Sequence, residues 1–180
     1  MKKFTVLIAP MVVALCAANG SLAQTSKGDF KFSGTTQANL SVATSGGSGR
    51  ASNFILDTGF EHFVVDNFSL GIDLGASFAT VANTESNYNV SIQPFLGYYF
   101  NRGQRFIPYV KAGAGYMRTE AMGNAIGGVV GSLDIGGDYM FGNNVALNFG
   151  VTGSVWRAKA GDISATAGIV NPYIGFSIYF

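Results

Sequence analysis

The 180-residue chain is most informative in what it has little of. It contains one cysteine, Cys16, and one histidine, His62. Charged residues make up 12% of the sequence, about half the share of an ordinary soluble domain. Past the first two dozen residues there is no apolar run near the ~18 residues that a membrane-spanning helix needs. These shortages exclude a disulfide framework, a transition-metal site built from His and Cys, and a helical membrane protein. The opening residues account for the cysteine. Met1-Lys2-Lys3 is basic, Phe4 to Ala18 is mostly apolar, and Asn19-Gly20-Ser21-Leu22-Ala23-Gln24 ends on small residues. This is the layout of a secretory signal peptide, with cleavage expected between Ala23 and Gln24, and Ala18 as the alternative. A lipoprotein site at Cys16 is disfavoured by the bulky Leu15 before it. The expected domains are therefore a signal peptide over 1–23 and one domain over 24–180.

Removing Lys2 and Lys3 from the 11 Lys and Arg leaves 9 against 10 Asp and Glu. That balance offers no basic field, so nucleic acid is not an expected partner. What the chain has in quantity is glycine, 25 residues, with 15 Phe and 8 Tyr.

These residues alternate. Phe68, Leu70, Ile72, Leu74, Ala76 and Phe78 interleave with Ser69, Gly71, Asp73, Gly75 and Ser77. A period of two with one apolar face and one small or polar face is a strand signature. The same pattern recurs over 30–42, 53–65, 88–100, 106–116, 129–141, 145–156 and about 166–180. In the last run, Ile174, Phe176, Ile178 and Phe180 oppose Tyr173, Gly175, Ser177 and Tyr179.

Eight runs is an even number, and each is long enough to cross a bilayer at a tilt. In a soluble sandwich the polar face would carry many Lys and Glu; here it carries Gly, Ser, Asn and a few acids. The expected fold is all-β: an eight-stranded antiparallel up-and-down transmembrane β-barrel, closed by pairing of the last run with the first. Tight turns are expected at 65–67, 101–105 and 142–144, with longer loops over 44–52, 83–87, 120–126 and 159–165. Outer-membrane barrels place short turns in the periplasm, so both termini are expected there. Phe68, Tyr98, Phe100, Phe106, Tyr139, Phe141, Tyr179 and Phe180 fall near that side, as an interfacial aromatic girdle would.

Three segments resemble the bacterial outer-membrane β-barrel domain family, the small porin-like group. Phe63-Val64-Val65-Asp66-Asn67-Phe68-Ser69-Leu70-Gly71 is similar to its "YFVxDNLxLG" turn. Pro108-Tyr109-Val110-Lys111-Ala112-Gly113-Ala114-Gly115-Tyr116 is similar to its "PYVGAGAGY" strand, and Tyr139 to Leu147 to its "YFxTDNVAL" turn. The resemblance covers 28–180. It implies a small barrel of the cell outer membrane, in contact with outer-membrane lipids and lipopolysaccharide and expected to be a monomer. It also implies that Tyr179 and Phe180 form the signal read by the barrel assembly machinery. It says little about activity, because the family hosts unrelated ones.

An eight-stranded barrel is just wide enough for side chains to fill it. The inward charges Lys31, Asp57, Glu61, Asp73, Lys111, Asp134 and Asp138 are expected to form a polar network that plugs the lumen. Lys31, Glu61 and Asp73 should lie at similar heights on adjacent strands, and Lys111 opposite Asp134. The expected function is a non-enzymatic envelope protein of structural or surface-interaction type. A narrow or gated transporter, selective for cations by its excess of inward acids, is the first alternative. A lipid A-modifying enzyme is the second. Against it, His62 has lipid-facing parity and the compact His-x-Ser-Asn pattern is absent. The glycine-rich 46–50 segment precedes no helix and is a loop, not a phosphate cradle. No catalytic residue, metal or cofactor is expected.

Overall fold

The structure is a computed structural model that describes residues 25–42, 50–81, 87–100, 104–121, 124–160 and 163–180. The signal-peptide expectation lies outside these residues. Eight strands follow in order: β1 (Phe30–Val42), β2 (Arg50–Val65), β3 (Phe68–Val81), β4 (Asn87–Tyr99), β5 (Phe106–Ala121), β6 (Asn124–Met140), β7 (Val145–Ala160) and β8 (Ile163–Tyr179). Each pairs antiparallel with the next, and β8 pairs with β1, giving a closed barrel. Closure satisfies the backbone groups that lipid cannot, each worth several kcal/mol when left unpaired in hydrocarbon.

The alternation in the sequence becomes the two faces of the wall. Leu56, Phe60, Leu70, Leu74, Leu96, Leu133, Ile135 and Phe176 all point out and are exposed. So wide an apolar exterior would drive aggregation in water and matches the hydrocarbon of a bilayer instead. Near the turns that join β4 to β5 and β6 to β7, outward aromatics pack on one another. Tyr98 meets Phe100 at 4.9 Å and Tyr139 meets Phe141 at 5.7 Å between ring centroids. Tyr179 does not join this girdle. Its parity turns it inward, where it is 1% exposed.

The strands run further than the alternation alone indicates. The β5–β6 ladder continues to Ala121↔Asn124 and the β7–β8 ladder to Ala160↔Ile163. Two of the four expected longer loops, 120–126 and 159–165, therefore shrink to two-residue connections. Backbone pairing in a ladder does not depend on side-chain type, so Gly- and Ala-rich ends extend a strand that periodicity cannot see.

The opposite end is tied down by hydrogen bonds across the termini. Asn67 holds φ 66°, a left-handed conformation that Asn tolerates, in the β2–β3 turn beside a bulge between Phe63 and Val65. The Asn67 N–H donates to the Thr25 carbonyl at 2.7 Å, and Thr25 Oγ1 donates to Asn67 Oδ1 at 2.8 Å. Phe30 and Phe180 exchange two backbone hydrogen bonds, 3.1 and 2.9 Å, which locks the closing seam at its base. That seam is the shortest ladder in the barrel, running from Lys31↔Tyr179 to Thr36↔Ile174. It stops two residues from Pro172, which has no N–H to contribute.

Candidate functional site in the barrel lumen

Seven residues near the turn-and-terminus end, Phe63, Tyr99, Ile107, Tyr109, Met140, Ala146 and Tyr179, form the buried core. Lys31, Glu61, Lys111 and Asp138 are buried alongside. Lys31 Nζ lies 2.6 Å from Asp138 Oδ2 and 3.7 Å from Glu61 Oε1, while Lys111 Nζ lies 2.6 Å from Glu61 Oε1. Two cations thus meet two anions. Hydrogen bonds take up further lone pairs and protons. Tyr99 accepts from Lys31 Nζ at 3.0 Å and donates to Glu61 Oε2 at 2.5 Å; Ser69 Oγ donates to the same oxygen at 2.9 Å. Asp138 accepts from Tyr179 (2.5 Å), Asn148 (2.9 Å) and Ser177 (3.3 Å). Both ammonium groups also lie against aromatic faces, Lys31 4.8 Å and Lys111 4.7 Å from the Tyr109 ring centroid. A buried ion pair with every partner satisfied is costly to open, because each charge released would stand alone in a low dielectric.

The pairs cross the lumen instead of following the ladders. Lys31 and Glu61 face each other in register, as do Lys111 and Asp134. Yet Lys31 makes its short bond to Asp138 on β6, and Lys111 makes its own to Glu61 on β2. In so narrow a barrel a lysine four methylenes long reaches a carboxylate on the far wall. Asp134 instead accepts a hydrogen bond from Tyr173 at 2.7 Å. Asp73 faces Gly59, one inward position beyond Glu61. Asp57, Asp73 and Asp134 therefore stand outside the four-charge network.

Above this floor the described side chains do not fill the lumen. A cavity of about 460 Å³ lies there, with Asp57, Asp73 and Asp134 in its wall. The expectation of a lumen plugged throughout fails there for a steric reason. Many inward positions in that half are small, and two glycines make room for the acids. Asp73 Oδ1 lies where a Cβ on Gly59 would be 2.5 Å away, and Asp57 Oδ1 stands 2.6 Å from the equivalent point on Gly75. The inward tyrosines Tyr99, Tyr109, Tyr173 and Tyr179 complete the floor. Their parity is visible in the sequence; that Tyr99, Tyr173 and Tyr179 donate to Glu61, Asp134 and Asp138, while Tyr109 meets Asn148 and Tyr173, is not.

His62 lies on the other side of the wall. Its ring stacks on Phe30 at 4.4 Å, facing outward, whereas Glu61 and Ser69 meet each other inside the lumen. No Ser/His/acid arrangement forms around it. Among the described residues, no group of three His, Cys, Asp or Glu is placed to hold a metal ion.

A sequence model described as "Outer membrane protein beta-barrel domain" matches residues 7–172. The chain belongs to this outer-membrane β-barrel family. Solved structures agree with the fold at low identity. Neisserial surface protein A is 15% identical with a TM-score of 0.62, covering 84% of this chain and 96% of that one. The outer membrane protein OprG from Pseudomonas aeruginosa is 17% identical with a TM-score of 0.55, covering 89% and 99%. The outer membrane enzyme PagL is 16% identical with a TM-score of 0.50, covering 82% and 98%. No curated protein matches the sequence. Barrels of this fold thus include proteins of different roles, and the wall architecture is what they share.

Proposed function

We propose that this chain is a non-conducting, non-enzymatic protein of the outer membrane, a monomeric wall element that presents a blind cup at one end of its barrel. The observation that carries this reading is the four-charge floor: Lys31, Glu61, Lys111 and Asp138 are fully paired and sealed by Phe63, Tyr99, Tyr109 and Tyr179. An ion entering from the cavity meets a layer whose two cations and two anions already pair with one another. Phe30 and Phe180, where the barrel begins and closes, lie at the sealed end, and we take that end as the periplasmic one, with the cup opening outward. The exposed apolar belt supports contact with outer-membrane lipids and lipopolysaccharide, and the inserted form requires the barrel assembly machinery, for which Tyr179 and Phe180 are the terminal signal.

Planar-bilayer recording at neutral pH tests the seal. The purified barrel is expected to show no steady single-channel current. A second reading, a gated transporter, draws on the cavity reaching halfway down the lumen; steady currents abolished by no mutation outside the floor would establish it in place of the first. The separation of His62 from Ser69 and Glu61 argues against hydrolysis of lipid A. Long incubation of the protein with lipid A should leave its mass spectrum unchanged, and a loss of acyl mass would overturn the non-enzymatic reading.

A further inference from the structure

We propose that the outer wall, at the open end of the barrel, docks a membrane lipid with a phosphomonoester headgroup between Arg118 on β5 and Arg157 on β7. The inference deepens the lipid contact proposed above and rests on that reading of the wall. Most of the outer wall is apolar, with Leu74, Leu96, Leu133 and Phe176 exposed along it. Among the described strand side chains, three charges share that outward face: Arg118, Glu120 and Arg157. All three lie near the ends of β5 and β7 that are opposite the four-charge floor. An outward arginine is costly at the middle of a bilayer and nearly free at its interface, so both arginines belong at headgroup height.

Their surroundings leave both guanidinium groups unclaimed. Glu120, the acid on this face, accepts a hydrogen bond from the Tyr88 hydroxyl. Neither Arg118 nor Arg157 makes a salt bridge among the described residues. Arg118 faces Gly127 across the β5–β6 ladder and Arg157 faces Val129 across the β6–β7 ladder, so the two flank β6. With strands about 4.8 Å apart and about 3.3 Å per residue along them, the two Cα atoms stand about 12 Å apart. Both side chains are exposed and free to lean toward the gap between them.

A third donor stands in that gap. The Tyr116 hydroxyl lies where a Cβ on Gly127 would be, and it has no hydrogen-bond partner among the described residues. Two guanidinium groups and one hydroxyl match the three terminal oxygens and the near-double negative charge of a phosphomonoester. The planar fork of arginine suits phosphate in particular. A phosphodiester brings two such oxygens and a single charge. Toward mid-depth the same face continues as Val129, Val155 and Leu133, all exposed, an apolar bed for acyl chains. A free phosphate ion would leave that bed unused, so charge and surface together fit a lipid.

The test folds the full barrel into nanodiscs of phosphatidylcholine and phosphatidic acid in equal parts, with matched acyl chains, and counts retained lipids by native mass spectrometry. Phosphatidic acid is expected to be retained about tenfold over phosphatidylcholine, the effect of charge-assisted hydrogen bonds that the zwitterion makes less well. Phosphatidylglycerol, a phosphodiester, should be retained at least about threefold less than phosphatidic acid. Arg118→Gln with Arg157→Gln should abolish the preference, and Tyr116→Phe should lower it about threefold. Arg105→Gln, in the turn at the sealed end, should leave it intact. Heat-modifiable gel mobility shows that each variant is folded; should the double variant not be, Arg157→Gln alone is read for a partial loss. No preference for phosphatidic acid, an equal preference in the double variant, equal retention of phosphatidylglycerol, or displacement by excess inorganic phosphate overturns the proposal. A barrel that inserts without the preference loses this site and keeps its lipid-facing wall. A barrel that inserts into no nanodisc loses both.

Discussion

Lys31 Nζ on β1 and Asp138 Oδ2 on β6 lie 2.6 Å apart across the lumen, although 107 residues separate them in the chain. The bond joins nearly opposite walls of the barrel and is fully buried. Lys31 also reaches Glu61 and, through it, Lys111, so one side chain connects β1, β2, β5 and β6.

Lys31→Met is therefore expected to cost about 3–5 kcal/mol, the usual penalty for leaving a buried charge without its partner. Urea unfolding of the barrel in lipid vesicles measures it. Adding Asp138→Leu to Lys31→Met should recover part of the loss, because the stranded carboxylate is then removed. A double variant whose loss equals the sum of the two singles would mean that the pair is not coupled as the geometry requires.

The closing seam supplies a steric prediction. A Cβ on Gly175 would lie 2.1 Å from the Gly34 carbonyl oxygen and 2.7 Å from Thr35 Cα, both backbone atoms of β1. Gly175→Ala should push β8 away from β1 where the ladder is shortest and cost about 1–3 kcal/mol. Gly34→Ala meets nothing within 4 Å and should leave stability nearly unchanged. Equal midpoints for the two variants in the same unfolding experiment would contradict the seam as described.

Neighbouring residues on β3 test which face meets lipid. Leu74 is 49% exposed on the outer wall, and Asp73 turns into the cavity. Leu74→Arg places a charge in hydrocarbon, at about 2–4 kcal/mol near mid-depth, and should block folding into vesicles. Asp73→Asn should fold like the parent, with the boiled and unboiled forms separating on a gel. Comparable losses for both variants would mean that the faces are inverted.

Trp156 gives an optical version of the same test. It lies in the cavity wall and faces Ala167 across the β7–β8 ladder. Acrylamide in the aqueous phase should quench its emission, and brominated acyl chains should do so little. Strong quenching by the brominated lipid would put the indole outside the barrel.

Much of this architecture is written in the period of two. The outward rows of β3 and β8, the inward parity of the acids and of Trp156, and the Asp66-Asn67 turn all follow from alternation and turn chemistry. Strand ends were less visible, because the polar end of β5 and the small-residue ends of β6, β7 and β8 carry no apolar rhythm while their backbones still pair. The half-filled lumen was also hidden. Volume depends on how small residues from eight strands superpose at one height, and Gly59 and Gly75 matter only because Asp73 and Asp57 stand over them.

By itself the sequence determined which residues face lipid and which face inward, since parity along an extended strand is a local property of the chain. It also carried the even strand number and the family motifs. Tertiary structure alone decided which inward charge meets which. That choice depends on distances across a closed ring, and neighbours around the ring are not the nearest partners through its centre. Lys111 faces Asp134 along the ladder and binds Glu61 across the lumen. The same crossing leaves Asp57, Asp73 and Asp134 without a salt bridge among the described residues above the floor, where the barrel opens into a cup.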